Sequence, residues 1–162
     1  MEGRCKTLFK GAHEYHINSL NLNSDGENFL SADDLRINIW NLSNNSTVYN
    51  VLDIKPKNVN DIEEAINYAE FNKSDVNTFL YTTSKGFLSI CDLRERATFI
   101  NGQSLRFEVG AGVKRNAFTE IINGISCAKF LQSNNNVVVS RDYLSVKLWD
   151  IRSTSIKPFL NL

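Results

Sequence analysis

The chain has 162 residues, about the size of one ordinary domain, and 42% of them are hydrophobic, as in a soluble globular chain. Its 18 basic and 18 acidic residues cancel, which argues against attachment to nucleic acid or to a membrane surface by bulk charge. No apolar run exceeds three residues, where a membrane-spanning helix needs about 20, and Met-Glu-Gly-Arg-Cys-Lys at the N-terminus lacks the apolar stretch of a secretory signal.

Three cysteines, an odd number, point to reduced thiols and so to the cytoplasm, with the nucleus as a second location. Only 2 prolines occur, against 21 asparagines and 8 glycines. Asparagine tolerates left-handed backbone and caps helices. The composition therefore predicts many short elements joined by turns that asparagine shapes.

In chain order, a strand is expected over Ile17 to Leu22. A hairpin follows over Phe29 to Leu42, where Leu35, Ile37 and Ile39 alternate with Arg36 and Asn38. Period two marks a strand with one buried face. Residues 43–65 read as an insertion. Within it, Asn60 and Glu63 resemble a capping box, which predicts a helix of two or three turns over 60–66. A strand over Tyr68 to Phe71 and a hairpin over Leu80 to Leu93 repeat the first pattern. Residues 94–121 read as a second insertion, with a mobile loop over 101–119. The third copy is a strand over Ile125 to Phe130 and a hairpin over Val138 to Ile151.

The repeat has internal landmarks. Ser31, Thr82 and Ser140 each stand nine residues before Trp40, Cys91 and Trp149. Leu22, Phe71 and Phe130 stand 18, 20 and 19 residues before them. The unit is strand, turn, strand, turn, strand, and it recurs at intervals of 51 and 58 residues. Such units stack because one alone cannot cover its apolar face. The endings Trp40-Asn41, Cys91-Asp92 and Trp149-Asp150 match the Trp-Asp ending of a β-propeller blade. The expected fold is all-β: a partial WD-repeat propeller over 1–162, with blades near 13–42, 66–93 and 122–151 and a short inserted helix.

Few residues offer chemistry. His13 and His16 are spaced to share a metal, but no cysteine or carboxylate cluster completes a four-ligand set, so no metal or other cofactor is expected. The alternative is structural: His13 or His16, Ser31, Asp33 or Asp34, and Trp40 form a hydrogen-bonded lock within the blade. Asp33 and Asp34 sit in a turn, where aspartate bonds its own backbone. One of them can also accept a partner's arginine in a two-pronged bond. Cys91 and Cys127 read as buried structural thiols. Arg94, Arg96, Arg106, Lys114 and Arg115, with Glu95 and Glu108 among them, read as a solvated basic loop. No phosphate-binding glycine loop, nucleophile elbow or zinc-protease helix is present, so an enzyme is not expected.

Longer strings carry more. Ala12-His-Glu-Tyr-His-Ile-Asn-Ser19, Leu30-Ser-Ala-Asp-Asp-Leu-Arg-Ile-Asn-Ile-Trp40, Asp53-Ile-Lys-Pro56, Ile90-Cys-Asp92 and Ser140-Arg-Asp-Tyr-Leu-Ser-Val-Lys-Leu-Trp-Asp150 resemble, in order, the regulatory B (55 kDa) family of the type 2A serine/threonine protein phosphatase. The resemblance implies a seven-bladed propeller, of which this chain supplies about three blades as a fragment or truncated relative. It also implies a non-catalytic role in a phosphatase heterotrimer, with scaffold A and catalytic C subunits as partners and phosphoproteins with basic segments as substrates. The alternative is an interaction module of the same blades that no longer assembles with the phosphatase.

By motif position, the resemblance places Tyr15, His16, Asp34, Ile62 and Phe118 in an acidic substrate groove on the propeller's top face. Phe118 matches the second residue of a Phe-Phe pair whose first member is Ala117 here. Asp34 would hold a substrate arginine or lysine, and Tyr15, Ile62 and Phe118 would cover apolar residues of a segment lying helically against the groove.

Overall fold

The computed structural model describes residues 4–95, 105–110, 116–153 and 157–162. Three four-stranded antiparallel sheets follow one another along the chain. The first holds β1 (Ser19–Leu22), β2 (Asn28–Ala32), β3 (Arg36–Asn41) and β4 (Asn44–Asp53) in that order. The second holds β5 (Ile66–Phe71), β6 (Thr78–Thr83), β7 (Phe87–Asp92) and β8 (Leu105–Glu108). The third holds β9 (Cys127–Leu131), β10 (Asn134–Arg141), β11 (Val146–Asp150) and β12 (Leu160–Asn161). The first strands of the sheets touch in succession, β1 against β5 and β5 against β9, as the inner strands of a propeller do. The fold is a partial β-propeller, and each sheet is one blade.

Alternation decides which face meets which blade. Directly paired residues share a face. In blade 1, Leu30 pairs Ile39 and Ile37 pairs Leu52, and these four turn towards blade 2. Blade 2 answers with Ala69, Phe71, Phe79, Tyr81 and Cys91. Its opposite face, Leu80, Leu88, Ile90 and Phe107, packs against Ala128, Phe130, Val138 and Trp149 of blade 3. Each fully buried side chain of this kind contributes about 1.5–3 kcal/mol, so the two junctions dominate the fold.

Polar latches register the junctions on the inner strands. The Asn18 side-chain amide donates to the Ile66 carbonyl at 2.6 Å, and that of Asn67 donates to the Ile125 carbonyl at 2.9 Å. Ser19 Oγ and Asn21 Oδ1 accept the backbone N–H groups of Ala69 and Phe71, both at 3.0 Å.

Four features differ from the sequence expectation. Within 43–65, residues 44–53 form the outermost strand of blade 1, and within 94–121, Leu105–Glu108 does the same for blade 2. Leu105-Arg-Phe-Glu108 alternates, and Phe107 and Val109 are buried, so this part of the expected loop is strand. The helix expected over 60–66 is only a single 3-10 turn, Val59–Asp61. Its N-cap is Asn58, and no side chain caps it. The Ile66 N–H donates to the Asp34 carbonyl at 2.8 Å, which commits that residue to β5 instead of to a helix. The short helix lies in the second insertion: α1, Ala117–Asn123, is closed by an Asn116–Thr119 capping box.

The fourth correction concerns register. Phe29 pairs Trp40 and Val138 pairs Trp149, but Phe79 pairs Cys91. The β6–β7 turn is one residue longer than its counterparts and turns through Gly86, whose φ is +82°. Tyr81, not Thr82, therefore takes the position of Ser31 and Ser140.

Candidate functional site

The turns β2–β3, β6–β7 and β10–β11 share one end of the sheets with the segments that lead into β1, β5 and β9. In blade 1 this end is fixed by a lock. Trp40 Nε1 donates to Ser31 Oγ at 2.7 Å, and Ser31 Oγ lies 2.6 Å from His13 Nε2. Nε2 of the neutral ring accepts from the Ser31 hydroxyl, because the ionised Asp33 carboxylate can only accept and Nδ1 therefore carries the ring hydrogen. Nδ1 donates it to Asp33 Oδ2 at 2.8 Å. Asp33 Oδ1 accepts the N–H groups of Leu35 and Arg36 at 2.8 and 2.7 Å, which closes the turn. Burial pushes the Asp33 carboxyl up, but Leu35, His13 and Arg36 together hold it below the usual aspartate value.

The alternatives left open by the sequence thus resolve to His13 and Asp33. That leaves His16 exposed and Asp34 half-buried at the tip of the turn. Among the described residues the Asp34 carboxylate takes no hydrogen bond or ion pair. The other acids at this end of blade 1, Glu14, Asp33 and Asp53, are occupied. Arg36 Nη1 donates to Glu14 Oε1 at 2.8 Å, and Arg36 Nε to Asp53 Oδ2 at 2.9 Å. Lys55 Nζ donates to Glu14 Oε2 and stands 5.9 Å from the centre of the Tyr15 ring. Lys55 and then Arg36 hold the Glu14 carboxyl below its usual value. This network holds Lys55 against the Tyr15 ring, and motif position did not point to it. Its signal was present, since Glu14, Arg36, Asp53 and Lys55 all lie within the quoted strings.

Blades 2 and 3 carry the rest of the rim. Ile62 is the residue that ends the 3-10 turn, extended and half-buried. Glu63 beside it accepts from Lys85 of the β6–β7 turn at 2.8 Å. An open cleft of about 750 Å³ lies between these turns, with Lys85, Glu120, Ile121, Arg141 and Tyr143 among its walls. The Tyr143 N–H donates to the Ile122 carbonyl at 3.4 Å, which seats the β10–β11 turn against α1. Phe118 stands on the flank of α1, 70% exposed and outside the cleft walls, while Ala117 and Ile121 border the cleft. Tyr15 and His16 thus lie in the segment that leads into β1, and Asp34 in the β2–β3 turn of the same blade. Ile62 lies on the bridge to blade 2, and Phe118 sits apart on α1. Ile121 and Tyr143 are exposed aliphatic and aromatic neighbours that motif position alone did not supply.

Other candidates reduce to structure. Burial pushes the Cys91 thiol up to about 12, which keeps it protonated and unreactive. Cys127 is half-buried, less covered than expected. Arg94 is tied to Asp92 at 2.5 Å, and the Arg106 guanidinium lies 3.5 Å from the centre of the Phe87 ring. Arg96, Lys114 and Arg115 lie outside the described residues. Among the described residues no three His, Cys, Asp or Glu side chains converge as metal ligands.

No protein-family model matches the chain. Among curated proteins it is 45% identical, over 94% of its length, to the alpha isoform of the 55 kDa regulatory B protein of serine/threonine protein phosphatase 2A from Oryza sativa. It is 44% identical over 96% of its length to the beta isoform from Carassius auratus. A phosphatase 2A regulatory subunit of Dictyostelium discoideum is 45% identical over 90%. The chain spans 26–35% of the length of these relatives. Over nearly all of its residues, the chain is a homologue of the 55 kDa regulatory B subunits of protein phosphatase 2A.

Proposed function

We propose that the chain is a regulatory, non-catalytic part of a protein phosphatase 2A assembly and recruits phosphoprotein substrates through their basic segments. Its partners are then the scaffold A and catalytic C subunits, in the cytoplasm or nucleus. The observation that carries the recruitment role is Asp34, the one rim acid of blade 1 whose carboxylate is unpaired among the described residues. A substrate arginine can engage it without breaking an existing ion pair. Tyr15 and His16 stand in the segment leading into β1 at the same end of the blade, Ile62 follows the 3-10 turn that leads to blade 2, and Phe118, Ile121 and Tyr143 are exposed on α1 and the β10–β11 turn.

Binding of a basic phosphopeptide to wild type and Asp34→Lys tests this, because a desolvated contact of this kind is worth about 2–5 kcal/mol. The variant should lose at least about thirtyfold in affinity and keep its circular dichroism spectrum. Loss of folding without a separate binding defect would show that Asp34 serves only the turn. Co-purification from cell extract tests assembly. If scaffold and catalytic subunits are absent, the reading as an interaction module independent of the phosphatase takes its place.

A further inference from the structure

The cleft of about 750 Å³ on the rim lies over an interior junction, since its walls come from blade 2, from blade 3 and from α1 between them. Backbone bonds tie these walls together. The Ile125 N–H donates to the Thr83 carbonyl at 3.2 Å, and the Tyr143 N–H to the Ile122 carbonyl at 3.4 Å. The cleft is therefore preformed, and a ligand does not have to order it.

Its charges fall into two kinds. Lys85 is already engaged by Glu63 at 2.8 Å. Arg141 and Glu120 are not engaged in this way. Arg141 is anchored at one end: Nε donates to Ser126 Oγ at 3.0 Å, and the Ser126 hydroxyl donates to the Arg141 carbonyl at 3.1 Å. Nη1 and Nη2 have no partner among the described residues. The carboxylate of Glu120, half-buried on α1, has none among them either. The two side chains border one cleft and form no ion pair with each other. Ile121 and Tyr143, both largely exposed, add an aliphatic and an aromatic wall. A held guanidinium with both Nη groups free matches the two oxygens of a carboxylate or a phosphate. Glu120 separates these ligands, because it repels a dianionic phosphate more strongly than a monoanionic carboxylate. The chemistry separates them in the same sense: a phosphoryl group that is to be removed has to reach the catalytic subunit and cannot stay in this cleft.

We infer that the cleft reads an acidic side chain, aspartate or glutamate, in the docking segment of a substrate, and that Arg141 is the residue that specifies it. The inference rests on the recruiting role proposed above and adds to it a determinant opposite in sign to Asp34. Asp34 stands on blade 1 and Arg141 on blade 3, at the same end of the sheets. A bound segment then lies with its basic residue towards blade 1 and its acidic residue towards blade 3, so charge order selects one orientation.

The test offers the immobilised full chain a library of synthetic peptides with one fixed arginine and every other position varied, phosphoserine included. A second library has alanine in place of that arginine. Wild type should enrich aspartate or glutamate at a fixed separation from the arginine. Arg141→Gln should lose that enrichment and keep the dependence on arginine. Asp34→Lys should lose the dependence on arginine and keep the acidic preference. The inference is overturned, and the Asp34 reading stands, if arginine is required without any acidic preference, if the acidic preference survives in Arg141→Gln, or if phosphoserine is preferred to glutamate. An acidic preference without a requirement for arginine would remove the Asp34 reading alone, and the absence of both would remove both. Arg141→Lys covers the case in which tryptophan fluorescence shows the glutamine variant to be unfolded, because it keeps the charge and loses the fork. In wild type an enriched peptide should bind about three- to tenfold more tightly than its glutamate-to-glutamine counterpart, less so as salt rises. That ratio should shrink in Arg141→Lys, and an unchanged ratio would overturn the inference.

Discussion

At the scale of single residues, the lock of blade 1 is a closed circuit in which Ser31 serves two neighbours at once. Ser31→Ala strips the Trp40 N–H of its partner and leaves His13 Nε2 only a longer contact to Asn38 at 3.3 Å. Each unmatched buried group costs about 1–3 kcal/mol. A loss at the upper end of that range or beyond is therefore expected in urea unfolding. Ser140→Ala, which strips only Trp149, should cost less. The same circuit predicts an acid response. Asp33 and Asp142 are both held below the ordinary aspartate value of 3.8 in the folded chain. Burial works against this in each. Leu35, His13 and Arg36 overcome it at Asp33; Lys147, Ser145 and Leu144 overcome it at Asp142. A depressed folded-state value stabilises the fold above 3.8, and the contribution fades as pH falls through the lower, folded-state value. Stability measured by denaturant titration should therefore fall steeply below about pH 4. Asp33→Asn should be less stable at neutral pH and show a shallower slope in acid.

At the scale of elements, the β6–β7 turn is the test piece. Gly86 and Gly26 both have positive φ, +82° and +70°. A Cβ at Gly26 meets open space, whereas one at Gly86 would come within 2.6 Å of the Asn123 carbonyl at the end of α1. Gly26→Ala should cost about 1–2 kcal/mol from its backbone alone. Gly86→Ala should cost clearly more, because α1 must shift as well, and urea midpoints of the two variants make the comparison. This element also shows where the sequence was legible. Alternation revealed the three inner strands of every blade, because a period of two is printed directly in the residues, but not the outermost strands β4, β8 and β12. The extra turn residue of blade 2 was not visible, because Thr82 preserved the nine-residue spacing while pairing moved by one. Of two asparagine capping patterns, Asn60-x-x-Glu63 and Asn116-x-x-Thr119, the second is the helix. Local propensity was similar in both, and the outcome depended on where tertiary bonds took the following residues. In the candidate site, Tyr15, His16 and Asp34 followed from the motif strings. The unpaired state of Asp34 did not, since it depends on Arg36 and Lys55 having other partners.

At the scale of the whole molecule, blade 2 is covered on both faces and blades 1 and 3 on one each. In a stacked repeat, stability is roughly the sum of each unit and its neighbour contacts. Hydrogen exchange should accordingly find the most protected amides in β6 and β7 and the least protected in β12 and in the residues leading into β1. Equal protection in all three blades would contradict this ranking. The chain spans 26–35% of its relatives' length, so the gradient belongs to these three blades.

The substitution of the blade tryptophan by Cys91 has a consequence for how the molecule can be divided. Blade 1 has a full hydrogen-bonded lock, and blade 3 keeps the Ser140–Trp149 bond and pairs Asp142 with Lys147. Blade 2 puts Tyr81 and Cys91 at those places and leaves the Thr82 hydroxyl buried without a partner. Internal bracing is strongest at the flanks, while burial is deepest at the centre. The two gradients run in opposite directions along the same chain. No single blade holds both assets, so no cut between blades leaves a piece that has both, and the smallest folding unit is larger than the repeat that the sequence displays.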